Sequence, residues 1–191
     1  MPLSAPLVQG QFYHFFNRAN SQADCLFFQD RNYGFFLRRW GEYMDGHCEV
    51  WAYCLIPNHF HVLLRVCSGS DGAAMESWRR LAIAYTQAIN KQEGRRGSLF
   101  QEHPKHLRVA TDAHLVRLIR YIHRNPVKHG LVAEPGMWRY GGYRAFFSPA
   151  PSRIKRAGVL GLFGGLKAFE AFHREALVDD GAIEYCLVDE R

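Results

Sequence analysis

Residues 48–66 read CEVWAYCLIPNHFHVLLRV, and this stretch decides the fold that the sequence predicts. Two apolar runs, 48–55 and 59–66, are separated by the break Ile-Pro-Asn at 56–58. Runs of this length and composition favour β-strands, and a proline followed by an asparagine favours a turn between them. The stretch therefore predicts a β-hairpin.

The segments on either side of the hairpin alternate between strand and helix patterns. Aromatic residues dominate 11–17, which favours a strand, and a shorter strand is predicted at 105–109. Apolar residues recur every three or four positions over 30–44 and 73–91, which predicts two amphipathic helices. Thr111 is a suitable N-cap for a third helix.

The resulting order of elements is β-α-β-β-α-β-α. It predicts the α+β class, with a ferredoxin-like β-α-β-β-α-β antiparallel sheet, helices on one face, and one added helix toward the C-terminal end. The 191 residues, 48% of them hydrophobic, suit one domain with its own core. We place this domain at residues 1–148 and assign residues 149–191 to a basic, proline-rich linker and an acidic, amphipathic tail.

The net charge of +6 is unevenly distributed along the chain. Residues 1–161 hold 21 Lys and Arg against 11 Asp and Glu, whereas residues 162–191 hold 3 against 7. A basic main part favours an anionic partner, either nucleic acid or a membrane surface. No run approaches the roughly 20 apolar residues of a membrane span, and the first residues lack a signal-peptide pattern. We expect a cytoplasmic protein.

His59 and His61 are the sharpest local feature of the sequence. Alternate side chains of a strand share a face, so both imidazoles point the same way while Phe60 points into the core. Two imidazoles side by side on a rigid strand can hold a divalent cation. The alternative is a pair of half-exposed histidines without a ligand.

Tyr121 and Asn125 lie four residues apart on the third predicted helix, so they share one of its faces. A phenol beside a metal site is a candidate nucleophile. Because the residue before a proline avoids helical geometry, Pro126 predicts that Asn125 sits at or just past the helix end. The alternative is a tyrosine that packs its ring and an asparagine that caps the helix.

Four segments, taken together, resemble the REP-associated tyrosine transposases, which belong to the single-tyrosine HUH transposases and cut single-stranded DNA. The segments are 13–18 (YHFFNR), 52–64 (AYCLIPNHFHVLL), 120–127 (RYIHRNPV) and 138–143 (WRYGGY). They occur in the order and spacing of that family and cover roughly residues 10–148. The resemblance makes residues 1–148 the catalytic domain and the added helix the catalytic helix.

The resemblance implies a specific chemistry. His59 and His61 would be metal ligands, Asn125 would complete the metal site, and the metal would be Mg²⁺ or Mn²⁺. Tyr121 would be the nucleophile that leaves a 5′-phosphotyrosine link and a 3′-hydroxyl, and the reverse attack would rejoin strands. These roles describe a metal-dependent transposase.

The resemblance also implies a DNA partner. The family binds a hairpin from a repetitive extragenic palindrome (REP) beside a short single strand, as a monomer or a homodimer. Basic and polar side chains near the quoted segments are our candidates for DNA contacts: Asn17, Arg18, Arg95, Arg96, Arg117, Arg120 and Arg124.

Two other functions fit part of the pattern. A domesticated protein would bind the hairpin without moving DNA, although its nucleophile would then usually be eroded. A metal-dependent hydrolase of a small substrate would also use a His-x-His pair, but it would form no protein–DNA adduct.

Overall fold

The structure, a computed structural model, describes residues 6–21, 23–67 and 72–175. Its strands and helices, in chain order, are β1 (Phe12–Arg18), α1 (Asp30–Met44), β2 (Cys48–Ile56), β3 (His59–Val66), α2 (Ala73–Glu93), β4 (Lys105–Val109), α3 (Asp112–Lys128), α4 (Arg156–Phe163) and α5 (Leu166–Arg174). Two short 3-10 turns, Pro135–Met137 and Tyr143–Phe147, connect α3 to α4. Most of the predicted acidic tail, residues 176–191, lies outside the described residues.

The four strands form one antiparallel sheet in the order β2-β3-β1-β4. This order and the β-α-β-β-α-β succession confirm the predicted α+β class and ferredoxin-like topology. The predicted hairpin is present as β2 and β3, with Cys54 opposite His61. On the other side of β3, Phe16 of β1 is also opposite His61. His61 therefore lies on a central strand, β3, with β2 on one side and β1 on the other.

Different helices cover the two faces of the sheet. Phe15 and Phe60 point to the face covered by α1 and α2, where the ring centroids of Phe15 and Trp78 lie 5.1 Å apart and those of Phe36 and Phe60 lie 5.3 Å apart. Phe15, Phe36, Phe60 and Tyr85 of this aromatic layer are among the largest fully buried side chains of the described residues. The alternate side chains of β1 and β3 point to the opposite face, which α3 covers.

Helix α3 begins as predicted and ends later than predicted. The Thr111 hydroxyl accepts a hydrogen bond from the amide of His114 at 3.2 Å, which is the N-cap geometry. The prediction that Asn125 lies at or past the helix end is wrong, because α3 continues to Lys128 with Pro126 inside it. Proline costs the helix one amide donor, yet the next turn still closes, since the amide of His129 donates to the carbonyl of Asn125 at 3.1 Å.

Residues between 149 and 175 pack against the sheet and against α3. The backbone amide of Lys155 donates to the carbonyl of Val50 on β2 at 2.9 Å, and Val159 and Phe169 are fully buried. Part of the predicted amphipathic tail forms α5. The division into a domain at 1–148 and a linker with a tail at 149–191 stays a prediction. None of the described helices combines the length and the apolar character that a membrane crossing requires.

A buried histidine pair joins α5 to α3. The Nδ1 atom of His173 lies 2.8 Å from the carbonyl oxygen of Phe169, and its Nε2 atom lies 2.9 Å from Nδ1 of His123. A carbonyl oxygen only accepts, so His173 is protonated on Nδ1 and accepts at Nε2 a hydrogen bond that His123 donates. The hydrogen bond therefore requires His173 to be neutral, and burial favours the neutral form of His123 as well, because it lowers the pKa of His123 well below the ordinary value.

We expect this pair to make the fold sensitive to acid. Burial lowers the pKa of His173 to about 4. As the pH falls below about 6.5, His173 therefore becomes protonated in the unfolded chain but stays neutral in the folded protein. The free energy of unfolding should fall between pH 6.5 and pH 4, by at most about 3 kcal/mol from this residue. Urea unfolding of His173→Phe across this range should show a weaker pH dependence than the wild type.

His103, whose side chain is 77% exposed, supplies the control. His103→Gln should leave the pH dependence unchanged. Equal pH dependence in the wild type and in His173→Phe would contradict the assignment.

Candidate active site

His59 and His61 lie side by side on the face of β3 that α3 covers. Their ring centroids are 4.9 Å apart, and the residues are 7% and 2% exposed. The two imidazoles are therefore buried, which is unlike the half-exposed pair that a histidine-rich strand face would give. Removing two polar rings from water has a cost that the site must offset by hydrogen bonding or by a ligand.

The Nδ1 atom of each imidazole has a defined partner. Nδ1 of His59 lies 2.9 Å from the Oδ1 atom of Asn58, and Nδ1 of His61 lies 2.9 Å from Nε2 of His14. An amide oxygen only accepts, so His59 is protonated on Nδ1 and its lone pair is on Nε2. Of the two nitrogens of His59, Nε2 is thus the one that can ligate a cation.

His61 is held in its neutral form. Burial lowers its pKa well below the ordinary value, and the neighbouring His14, His59, His129 and Lys128 lower it further. A cation ligand must present a lone pair, so a neutral ring is the form that a metal site requires.

Tyr121 of α3 lies against this pair. Its half-buried ring is 5.6 Å from the ring of His61 and 6.2 Å from the ring of His14, measured between centroids, and meets both edge to face. The Nζ atom of Lys128 lies 5.5 Å from the centroid of the Tyr121 ring. The phenol that the sequence singled out is thus adjacent to an imidazole pair and near a cationic side chain.

Asn125 occupies the same face of α3, between two contacts with β3. One turn before it, Tyr121 contacts His61, and one turn after it, the His129 ring lies 4.9 Å from the ring of His59. Asn125 is 1% exposed, and neither its amide nitrogen nor its amide oxygen has a hydrogen-bond partner among the described residues. Native proteins rarely bury an amide in this way, which points to a ligand outside the chain.

These donors fit a cation site of two imidazoles and one amide oxygen, a mixed set that Mn²⁺ accepts readily and Mg²⁺ accepts with added water. Within residues 6–21, 23–67 and 72–175, the structure contains no cluster of three or more His, Cys, Asp or Glu side chains able to hold a metal ion. Among the described residues, Asn125 is therefore the candidate for the third donor at this site.

A cavity of about 280 Å³ opens beside the imidazole pair. Its walls are formed by Phe16, Asn17, Arg18, Asn58, His59, His61, Gln101, Lys105 and His129. Two of these side chains are cationic, and none of the described residues that line the cavity carries a carboxylate. A cavity with this charge suits an anionic group such as a phosphate.

The structure brings Asn17 and Arg18 into this cavity, at the end of β1. Arg18 is half-buried, whereas Asn17 is 4% exposed and has local partners. Its Nδ2 atom donates to the carbonyl of Gln101 at 3.2 Å, and its Oδ1 atom accepts from the amide of Arg18 at 2.8 Å. The side chain of Asn17 therefore holds the wall of the cavity in place.

None of the five other arginines predicted to contact DNA lines the cavity. Arg120 donates to the carbonyl of Glu175, and Arg124 donates to the carbonyl of His173 at 3.1 Å, so both hold the end of α5. Arg117 is exposed on α3, one turn before Tyr121. Arg95 and Arg96 lie in the loop after α2, where the Arg95 guanidinium sits 5.5 Å from the Phe28 ring centroid and Arg96 is exposed.

Four residues at the site carry no sequence signal of their own: His14, Gln101, Lys105 and His129. His14 stands in an aromatic strand, where an isolated histidine predicts nothing. The helical spacing of Tyr121, Asn125 and His129 would have placed the third residue on the same face, but Pro126 argued against a helix of that length.

Known proteins are similar to this chain, one in sequence and one in fold. A curated protein of Haemophilus influenzae, named as a REP-associated tyrosine transposase, is 28% identical in an alignment 107 residues long that covers 50% of this chain and 58% of that protein. A solved structure of a REP-associated tyrosine transposase bound to a REP hairpin superposes with a TM-score of 0.64 at 18% identity, and the match covers 79% of this chain and 88% of that one.

The resemblance to the REP-associated tyrosine transposases is confirmed. The chain spans 58% of the length of the curated transposase it matches, and at 18% identity the structural match to the hairpin-bound transposase shows a shared fold. No protein-family model matches the chain.

The unpartnered amide of Asn125 leads to a stability prediction. Replacing it by leucine removes a buried amide that makes no hydrogen bond, so Asn125→Leu should not lower the free energy of unfolding and should raise it by up to about 3 kcal/mol. Asn17→Leu is the matched control, because Asn17 is equally buried but makes two hydrogen bonds, and it should destabilise by about 1–3 kcal/mol. Urea unfolding of metal-free protein measures both. A loss of stability in Asn125→Leu as large as in Asn17→Leu would contradict the prediction.

Proposed function

We propose that this protein is a transposase of the REP-associated tyrosine type, which cleaves and rejoins single-stranded DNA through a 5′-phosphotyrosine intermediate. The observation that carries the proposal is the contact between the Tyr121 ring and the ring of His61, in a buried imidazole pair beside a cationic cavity. A nucleophile, candidate cation ligands and a place for a phosphate thus adjoin one another.

DNA with a REP hairpin is the partner that fits best. The relative of the same fold is bound to a REP hairpin, and the main part of this chain is basic. Arg18 and Lys105 in the cavity and the exposed Arg117 are suited to phosphate contacts, which would make the affinity depend on salt. Whether one copy or two act together stays a prediction, as does a cytoplasmic location.

The chemical step moves one phosphoryl linkage. The phenolic oxygen of Tyr121 loses its proton and attacks the phosphorus, a phosphorus–oxygen bond forms, and the bond to the 3′ oxygen breaks. The 3′ oxygen leaves as a hydroxyl after gaining a proton, and the 5′ end stays on Tyr121. The phosphodiester energy is kept in the new bond, so attack by a 3′-hydroxyl on the phosphotyrosine rejoins DNA.

The residues around Tyr121 position the reacting groups. The Nζ atom of Lys128 lies 5.5 Å from the centroid of the phenol ring, where its charge would attract an anionic phosphate toward Tyr121. Arg18 and Lys105 attract the phosphate into the cavity, which the buried rings of His59 and His61 also line.

Nε2 of His59, Nε2 of His61 and the amide oxygen of Asn125 are the atoms that would hold Mg²⁺ or Mn²⁺. The bound cation would neutralise charge on the phosphate and orient it. The neutral state of His61, the Nδ1 partners of both histidines and the unpartnered amide of Asn125 support this assignment.

Tyr121→Phe should abolish cleavage and leave hairpin binding within about twofold, because only the phenolic oxygen is lost. The wild type incubated with a REP hairpin carrying a single-stranded flank and Mn²⁺ should give a covalent adduct on a denaturing gel, and the variant should give none. Tyr143→Phe, which changes a half-buried tyrosine that packs on Phe169, is the control and should retain the adduct.

Two outcomes would contradict this proposal. An adduct with Tyr121→Phe would exclude Tyr121 as the nucleophile. Hairpin binding by the wild type without any cleavage would favour a domesticated DNA-binding protein instead.

Cleavage should also depend on the imidazole pair and on a divalent cation. His59→Ala should slow cleavage by at least about 100-fold, since it removes one ligand atom, whereas His114→Ala on the far end of α3 should not. EDTA should stop the wild-type reaction, and added Mn²⁺ or Mg²⁺ should restore it. A time course of product formation measures each rate, and unchanged cleavage in EDTA would remove the metal from the proposal.

A further inference from the structure

His14 is a buried polar residue that none of the roles assigned so far requires. It lies in the middle of β1, is 1% exposed, and is placed by the antiparallel pairing of β1 with β3. The side chain shares the face of His61 and Tyr121, since Phe16, two residues on, stands directly opposite His61.

The His14 ring is fixed on several sides. It stacks on Phe16 with 4.6 Å between centroids, stacks on His61 with 5.0 Å between centroids, and meets the Tyr121 ring edge to face at 6.2 Å. A ring packed in this way has little freedom to rotate, so its Nε2 atom is held in one direction. That direction is toward Nδ1 of His61, at 2.9 Å.

The hydrogen bond between these two rings has two possible directions. If Nδ1 of His61 donates, the lone pair of His61 is on Nε2, where a cation can bind it. If Nε2 of His14 donates, the proton of His61 is on Nε2 and that ring ligates nothing at this atom. Histidines that bind metals regularly donate their other N–H to a buried acceptor, which fixes the tautomer and the ring orientation.

We infer that His14 is a positioning residue that accepts a hydrogen bond from Nδ1 of His61 and so holds Nε2 of His61 in the ligating form. This inference rests on the proposed function, because it concerns the same cation site. Asn58 plays the equivalent part for His59, with its amide oxygen 2.9 Å from Nδ1. Each imidazole of the pair then has one dedicated acceptor, supplied by β1 for His61 and by the hairpin turn for His59.

The test is the affinity of the DNA-free protein for Mn²⁺, measured by electron paramagnetic resonance of the unbound ion. His14→Phe keeps the stacked ring and removes the acceptor, so it should weaken Mn²⁺ binding by about 10- to 100-fold. His14→Gln offers an amide oxygen as a new acceptor and should recover most of that loss. Saturating Mn²⁺ should restore the cleavage rate of His14→Phe toward that of the wild type, because the ligand atoms themselves are intact.

His106→Phe is the matched control, since it replaces a buried histidine of the same sheet on the face shared with Phe15. It should leave the Mn²⁺ affinity within twofold. Folded His14→Phe that binds Mn²⁺ as tightly as the wild type would overturn the inference and leave the proposed function standing. A wild type that binds no Mn²⁺ would overturn both the inference and the metal part of the proposed function.

A second measurement needs no variant. Long-range ¹H–¹⁵N spectra of the histidine rings in the metal-free wild type distinguish the two tautomers. We expect His61 to carry its proton on Nδ1, and a proton on Nε2 would overturn the inference even where a substitution at His14 fails to fold.

Discussion

The antiparallel register between β1 and β3 is the constraint on which the site depends. It places Phe16 opposite His61, so His14 and His61 share one face and their rings come within hydrogen-bonding distance. A shift of one residue would turn His14 toward the aromatic core and leave His61 without that neighbour. The core under α1 and α2 fixes the register, because Phe15 and Phe60 fit only when they point to the same side. Packing on one face of the sheet thus sets the chemistry on the other.

The polar side chains of the site are buried between the sheet and α3. The low pKa of His61 and the unpartnered amide of Asn125 both reflect removal from water, and both lower stability in the absence of a ligand. Helix α5 in turn packs on α3, the helix that carries Tyr121. The hydrogen-bonded pair of His123 and His173 joins the two helices, and Arg120 and Arg124 donate hydrogen bonds to carbonyls at the end of α5. Within residues 149–175, the contacts of α5 with α3 therefore contribute to the placement of Tyr121.

Local patterns predicted the elements well, and nonlocal contacts decided the rest. The hairpin at 48–66 and the helix at 30–44 follow from spacing within each segment, and the four-residue step from Tyr121 to Asn125 correctly gave a shared helical face. The expectation that the residue before a proline leaves the helix failed at Asn125, because the turn after Pro126 still closes through the hydrogen bond from the amide of His129 to the carbonyl of Asn125. The partner of His14 could not be predicted, since it depends on which strand lies beside β1. The hydrogen bonds of Arg120 and Arg124 to carbonyls at the end of α5 could not be predicted either, because they depend on which helix packs beside α3.

The central claim is that Tyr121 becomes covalently linked to DNA in a site formed by β3 and α3. Mass spectrometry of the reacted protein tests it most directly. Trypsin cuts after Arg120 and Arg124, so digestion with trypsin and nuclease isolates Tyr121 in a four-residue peptide. We expect this peptide to carry a 5′-nucleotide phosphate after reaction with a hairpin substrate and Mn²⁺. Cleaved DNA accompanied by an unmodified Tyr121 peptide would contradict it.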